Sequence, residues 1–233
     1  LVCWVILNKI APCNYTFSNA SISIEHRSAR SNIVFNGEIY NHATLKKKLS
    51  NVPFNGHSDT ETIVNYFSKH TITENLHKLN GIFAIAYLDK EEKRFYLARD
   101  RFGIKPLYYY FDGKRLMFAS ELRPLKVCLK PELDCGALLN SQRMRYTPSP
   151  LTVFQNISKV EPGQVITFNL EPHKIVADKK YFVQKTDLGS RKGDFKKLTT
   201  EYGDLFERAV ERQLMADVDL GILLSGGVDS ALV

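Results

Sequence analysis

The run GIFAIAYLD, residues 81 to 89, constrains the fold most. It is apolar almost without interruption, which reads as a strand buried on both faces. KEEK then turns the chain back into RFYLARD. In LYYYFDGKRLMFAS, two strand-like runs flank Asp112 and Gly113, a pair that suits the positive φ angles of a tight type I′ hairpin turn. TVFQNISKVEPGQVITFNL reads as strands around a turn at Pro162 and Gly163. At the front, LVCWVIL reads as a buried strand. Residues 8–31 carry few periodic signals and read as irregular. NIVFNG reads as a strand ending in a glycine turn.

Helical signals sit between these runs. Asn41 can cap a short helix in NHATLKKKL. In SDTETIVNYFSKH, Ser58 and Glu61 match a capping box, and Ile63, Val64 and Phe67 form one apolar face. Asp134 predicts the cap of a helix through Tyr146, which YTPSP breaks. The polar residues 184–193 read as a linker. Asp194 to Asp217 predicts a helix, with Leu198, Tyr202, Leu205, Ala209 and Val210 at helical spacing. LGILL then predicts a buried strand, SGGVDS a turn, and ALV the opening of a helix. The layout is a β-rich α+β domain over 1–183, a linker over 184–193, and the beginning of a second domain over 194–233.

Composition excludes several classes. Hydrophobic residues at 44% and charged residues at 24% are ordinary for a soluble globular chain. The net charge of +7 comes from lysines spread along the sequence, without the basic and aromatic stripe of a nucleic-acid binder. Cys3, Cys13, Cys128 and Cys135 form no C-x-x-C pair, so a reduced, cytoplasmic setting is expected. LVCWVIL is too short to span a membrane and lacks a basic lead-in for a signal peptide. The two sequons at Asn14 and Asn19 carry no weight without secretion. His42, His57, His70 and His77 show no metal spacing, and no metal site is expected from them.

LGILLSGGVDSALV at residues 220 to 233 combines an apolar run, a glycine pair and hydroxyl side chains. Gly226 and Gly227 let backbone N–H groups approach an anion without Cβ clashes, and Ser225 and Ser230 can add hydroxyl donors. No lysine follows, so this is not the G-x-x-x-x-G-K-[ST] phosphate loop. A strand-to-helix turn that uses glycine for sharpness is the alternative.

LLSGGVDS looks like the pyrophosphate loop of ATP pyrophosphatases. MADVDLGILLSGGVDSALV resembles its form in the glutamine-hydrolysing asparagine synthetases. FNGEIYNH, SDTE, LNGIFAIAYLD, ARDRFGIKPLYYY and FASELRPL resemble that family's glutaminase motifs in order. The resemblance implies a four-layer αββα sandwich of the N-terminal-nucleophile type, followed by the first helix and strand of an α/β nucleotide domain. It implies glutamine, aspartate and ATP as substrates, magnesium with the ATP, and a homodimer as a candidate assembly. Leu224 would lie beside the nucleotide, with Ser225, Gly226, Gly227, Asp229 and Ser230 around its phosphates. The chain then reads as a fragment of a longer enzyme. Two other readings are a non-catalytic remnant domain and a related amidotransferase acting on a sugar carboxylate.

Amide hydrolysis needs a nucleophile, a base and stabilisation of a tetrahedral oxyanion. By resemblance, Asn36 and Gly37 form the oxyanion hole, Asp59 binds the glutamine α-ammonium, and Glu38 lines the same pocket. From the residues alone, Asn36-Gly37 is also a common turn, and Asp59 is also an acid that stabilises a helix dipole. Gly37 has no side chain to block substrate. Arg99, Asp100 and Lys105 read as organising the hairpin and a domain interface. The family's nucleophile is an N-terminal cysteine whose α-amino group is the base. Cys3 is the candidate, after loss of Leu1 and Val2; as a bare residue it reads as a buried strand cysteine. The family's R-G-P-D motif has no counterpart here; Arg27 and Arg30 lie outside that context.

Overall fold

A computed structural model describes residues 3–6, 24–27, 31–49, 52–183, 193–215, 219 and 221–233, with 3–6 and 24–27 described as backbone alone. The chain divides into two compact units, Leu1–Val183 and Gln184–Val233.

The first unit is built on two antiparallel sheets. One has six strands in the order β10 (His173–Lys180), β9 (Gln164–Leu170), β5 (Arg94–Arg99), β4 (Gly81–Asp89), β3 (Ser31–Ile39) and β2 (Ile24–Arg27). The other has four, in the order β1 (Cys3–Ile6), β7 (Leu116–Ala119), β6 (Tyr108–Phe111) and β8 (Ile157–Lys159). Helices α1 (His42–Lys47), α2 (Asp59–Lys69) and α3 (Ile72–Asn75) follow β3 in sequence, and α4 (Leu122–Leu129) and α5 (Cys135–Met144) follow β7.

The two-residue period of the strands sorts side chains into three apolar clusters. Ile33, Phe35 and Ile39 of β3 and Phe83, Ile85 and Tyr87 of β4 pack with Ile63, Val64 and Phe67 of α2. From the opposite faces, Ala84 and Ala86 of β4 and Phe95 and Leu97 of β5 pack against Leu116 and Phe118 of β7. Met117 and Ala119, on the far face of β7, pack with Leu125 of α4. Helix, sheet, sheet and helix are thus four successive layers, as expected. GIFAIAYLD lies on the central β4, covered on both faces.

Several local expectations are corrected. Residues 24–27, within the stretch expected to be irregular, form β2, which pairs with β3. Asn36 and Gly37 lie inside β3 and make no turn, because β4 pairs with β3 as far as Ile39. The capping box is half formed. Ser58 caps α2 through the Thr60 N–H, but buried Glu61 accepts from the Asn55 and Gly56 N–H groups at 2.7 and 2.9 Å. The loop before the helix reaches that carboxylate in place of the cap backbone. The β6–β7 hairpin has a four-residue connection in place of a two-residue I′ turn: Asp112 accepts from the Lys114 and Arg115 amides, and only Gly113 has positive φ. Helix α5 stops at Met144, because Arg145 adopts a left-handed conformation. The Pro162-Gly163 turn carries the chain from one sheet to the other, since β8 and β9 lie in different sheets.

The second unit contains α6 (Phe195–Glu211), capped by Asp194, and α7 (Val228–Leu232). None of its described residues is buried. The strand expected at LGILL is absent among the described residues: 221–224 are irregular and exposed, and no described strand pairs with them. A lone strand has no hydrogen-bond partner to fix it.

Candidate active site

The end of β3 gathers the residues singled out at 36–38. Ile39 donates its N–H to Asp59 Oδ2 at 3.0 Å, and Tyr40 donates to the Asn80 carbonyl at 2.8 Å. Successive N–H groups of a strand point to opposite sides. The Gly37 N–H therefore points away from β4, to the side that carries Asp59. Across the strand pair, Phe83 is opposite Gly37, and its N–H and carbonyl are both engaged by Asp100 on its β5 side.

Gly37 is required by packing. Its φ is +150°, and an added Cβ would sit 2.0 Å from the Ile82 carbonyl oxygen and 2.7 Å from Phe83 Cα. Gly81 meets the Glu38 carbonyl in the same way, at 2.1 Å. The missing side chain thus admits the neighbouring strand, which corrects the expectation that it leaves room for substrate.

Asn36 shares the face of β3 that carries Val34, the side packed toward the four-stranded sheet. Its Nδ2 donates to Ser120 Oγ at 3.1 Å. Ser120 follows Ala119, the residue paired with Cys3. The backbone of Cys3 and the Asn36 carboxamide are thereby brought to one end of the sandwich, from opposite sheets. The Cys3 thiol lies outside the described atoms.

Asp59 is the first residue of α2 and half-buried. Besides accepting from Ile39, it accepts the Thr60 hydroxyl through Oδ1 at 3.3 Å. It joins the start of α2 to the end of β3, a role that neither sequence reading contained. Glu38 is exposed, two residues from Asn36 along the strand. Burial, then the charges of Glu38 and Asp100, hold the Tyr40 hydroxyl above its ordinary pKa, so Tyr40 is neutral at physiological pH.

Beside this end lies a loop fixed by two side chains. Asp100, only 1% exposed, accepts N–H groups from Phe102 and Ile104 on Oδ1 and from Lys105 and Phe83 on Oδ2. The Arg99 guanidinium donates to the carbonyls of Lys105, Gly103 and Val160 at 2.7 to 2.8 Å. Arg99 and Asp100 therefore shape 101–105, and Lys105 takes part through its backbone. A cleft lined by Lys69, His70, Asp89 and Glu92, and another lined by Tyr110, Arg115 and Cys128, include none of the expected site residues.

The second expected site is local. Gly226 has φ +76°, and Ser225 Oγ accepts the Gly227 N–H at 3.4 Å. The Ser230 hydroxyl lies 3.1 Å from Ser225 Oγ and 3.0 Å from the Gly227 carbonyl, to which it donates. Asp229 stands in the first turn of α7. Leu224 and residues 225–229 are exposed. Among the described residues no cluster of His, Cys, Asp or Glu could hold a metal by itself. Magnesium held chiefly by phosphates needs one or two carboxylates from protein, a requirement that Asp229 fits. No described helix is long and apolar enough to cross a membrane.

Ser120 is the residue that sequence reasoning missed, whereas Asp100 was read as organising the hairpin and holds the loop before it. FASEL marked the region of Ser120, but its partner is 84 residues away.

A family model for a glutamine amidotransferase domain matches residues 18–182, and one for asparagine synthase matches residues 201–233. Asparagine synthetase [glutamine-hydrolyzing] 1 of Bacillus subtilis is 36% identical over 86% of this chain and 32% of its own length. Asparagine synthetase [glutamine-hydrolyzing] 2 of Arabidopsis thaliana is 31% identical over 99% of this chain and 34% of its own length. The chain thus spans about a third of the length of these relatives.

Proposed function

We propose a function from one premise: the chain belongs to the glutamine amidotransferase domain family. Its first unit hydrolyses the side-chain amide of glutamine. The ammonia released is consumed by a synthetase domain to which residues 194–233 belong, with ATP-activated aspartate as acceptor. The observation that carries this reading is the hydrogen bond from Asn36 to Ser120, next to the strand partner of Cys3.

In this reading Cys3 acts as the first residue of the processed chain, and its α-amino group takes the thiol proton. The thiolate attacks the glutamine δ-carbon. The carbonyl oxygen becomes an oxyanion held by the Gly37 N–H and the Asn36 amide. Ammonia leaves with the transferred proton, and water hydrolyses the thioester to glutamate. Asp59 offers its remaining lone pairs to the α-ammonium, and Glu38 adds a second carboxylate to that pocket. In the synthetase domain, ATP adenylates aspartate and pyrophosphate leaves; ammonia then displaces AMP to give asparagine. Ser225, Gly226, Gly227 and Ser230 hold the phosphates beside Leu224. Asp229 would hold magnesium, which would neutralise phosphate charge. A cytoplasmic homodimer belongs to the same reading, and sedimentation tests the dimer.

The deciding assay measures ammonia from L-glutamine with a chain beginning at Cys3. Release that Cys3→Ala abolishes, and that Asn36→Ala lowers by about 100-fold, is expected. Release that survives Cys3→Ala would overturn the assignment.

A further inference from the structure

We infer that Ser120 is a positioning residue of the amide-hydrolysing centre, acting by orienting the Asn36 carboxamide. The inference rests on the glutaminase reading. The terminal torsion of an asparagine side chain is soft and broad. A donor that stabilises a transient oxyanion must already be aimed when charge develops, since reorganisation at that moment removes its advantage. Asn36 is half-buried, and its carboxamide donates to Ser120 Oγ, 84 residues away, at 3.1 Å. With one Nδ2 hydrogen engaged there, the amide plane is fixed and the second hydrogen has a defined direction.

The placement of Ser120 adds a second constraint. Ala119, its neighbour, is paired with Cys3 on one side and with Tyr108 on the other. It is only 1% exposed. Ser120 therefore extends from the rigid central part of the four-stranded sheet, while Asn36 belongs to the six-stranded sheet. A single hydroxyl thus ties the oxyanion donor to the strand end paired with Cys3, across two sheets that their apolar side chains already hold together.

The test uses the whole chain, labelled with nitrogen-15, and a second measurement on the preparation that begins at Cys3. In the labelled chain the two Asn36 side-chain hydrogens should be well separated, with one slow to exchange. Ser120→Ala should narrow the separation and speed exchange at least tenfold, and Ser120→Thr should restore both. Unchanged resonances in Ser120→Ala would overturn the inference. In the glutamine assay, Ser120→Ala should lower kcat about tenfold with KM within about twofold, and Ser120→Thr should recover most of it. In an Asn36→Ala background, Ser120→Ala should cost nothing further, because its effect passes through the missing amide. Losses that multiply in the double variant would overturn the inference. If the unsubstituted preparation releases no ammonia, the glutaminase reading falls and any catalytic role of Ser120 falls with it; the resonances still decide whether Ser120 orients Asn36.

Discussion

The region around β3 and the loop at 225–230 carry motifs of similar length, yet they are held by different means. Asn36 and Gly37 of β3 and Asp59 of α2 meet Ser120, Ile82 and Ile39, each a partner outside its own element. Among the described residues, the hydrogen bonds of the loop at 225–230 stay within residues 225–233, and every residue of the loop but Ser230 is exposed. Every described buried hydrophobic side chain lies between Ile33 and Phe168. A site whose geometry is enforced by a core should fail with the core, whereas a locally folded loop should tolerate change without global cost.

The largest expected effect comes from Gly37→Ala. Its Cβ meets backbone on β4 at 2.0 Å, so the strand pair must part. A loss of roughly 3 to 5 kcal/mol is expected in urea unfolding. Gly226→Ala is the counterpart, with positive φ but nothing within 4 Å. It should cost about 1 kcal/mol of local conformational energy and leave the main urea transition unmoved. Equal shifts from the two substitutions would break the comparison.

Asp100→Ala comes next. It leaves four N–H donors without their carboxylate, two of them from Ile104 and Lys105. Roughly 3 kcal/mol of destabilisation is expected, with faster amide exchange at residues 102–105. Exchange unchanged at those amides would show that Arg99 alone holds the loop.

In the second unit, Leu205→Ala on α6 should shift stability by no more than about 0.5 kcal/mol, because Leu205 is 51% exposed. A larger loss would show that this helix has packing partners.

The smallest effect concerns the hairpin connection. Burial pushes the Asp112 carboxyl up, but the amides of Arg115 and Lys114 and the Arg115 guanidinium outweigh it and bring the pKa to about 2. A lowered pKa stabilises the folded chain above the ordinary carboxylate range, and that contribution is lost as pH falls toward 2. Asp112→Asn should therefore cost less than about 1 kcal/mol at pH 7, since the group is largely solvated. The difference from the unsubstituted chain should vanish near pH 2. A constant difference between pH 7 and pH 2 would contradict the ionic origin.

Local pattern made β4, α2 and the β6–β7 hairpin legible in the sequence, along with the caps at Ser58 and Asp134. Each depends on residues a few positions apart. The resemblance supplied the four layers and singled out Asn36, Gly37 and Asp59. What escaped depends on distant pairing. β2 has no clear periodicity and exists because β3 offers it an edge. β10, largely exposed, is an edge strand paired only with β9 among the described strands. Leu122, Leu125 and Leu129 of α4 do carry helical spacing and could have been read. The tie from Asp59 to Ile39 could not, since nothing in either local sequence requires it.

A titration of the labelled chain with L-glutamine tests the central claim most directly. Binding at the end of β3 predicts that the Gly37 backbone amide and the Asn36 side-chain amide move together on saturation, and that Asp59→Ala removes both changes. Saturation that leaves residues 36 and 37 unmoved, while amides elsewhere respond, would contradict it.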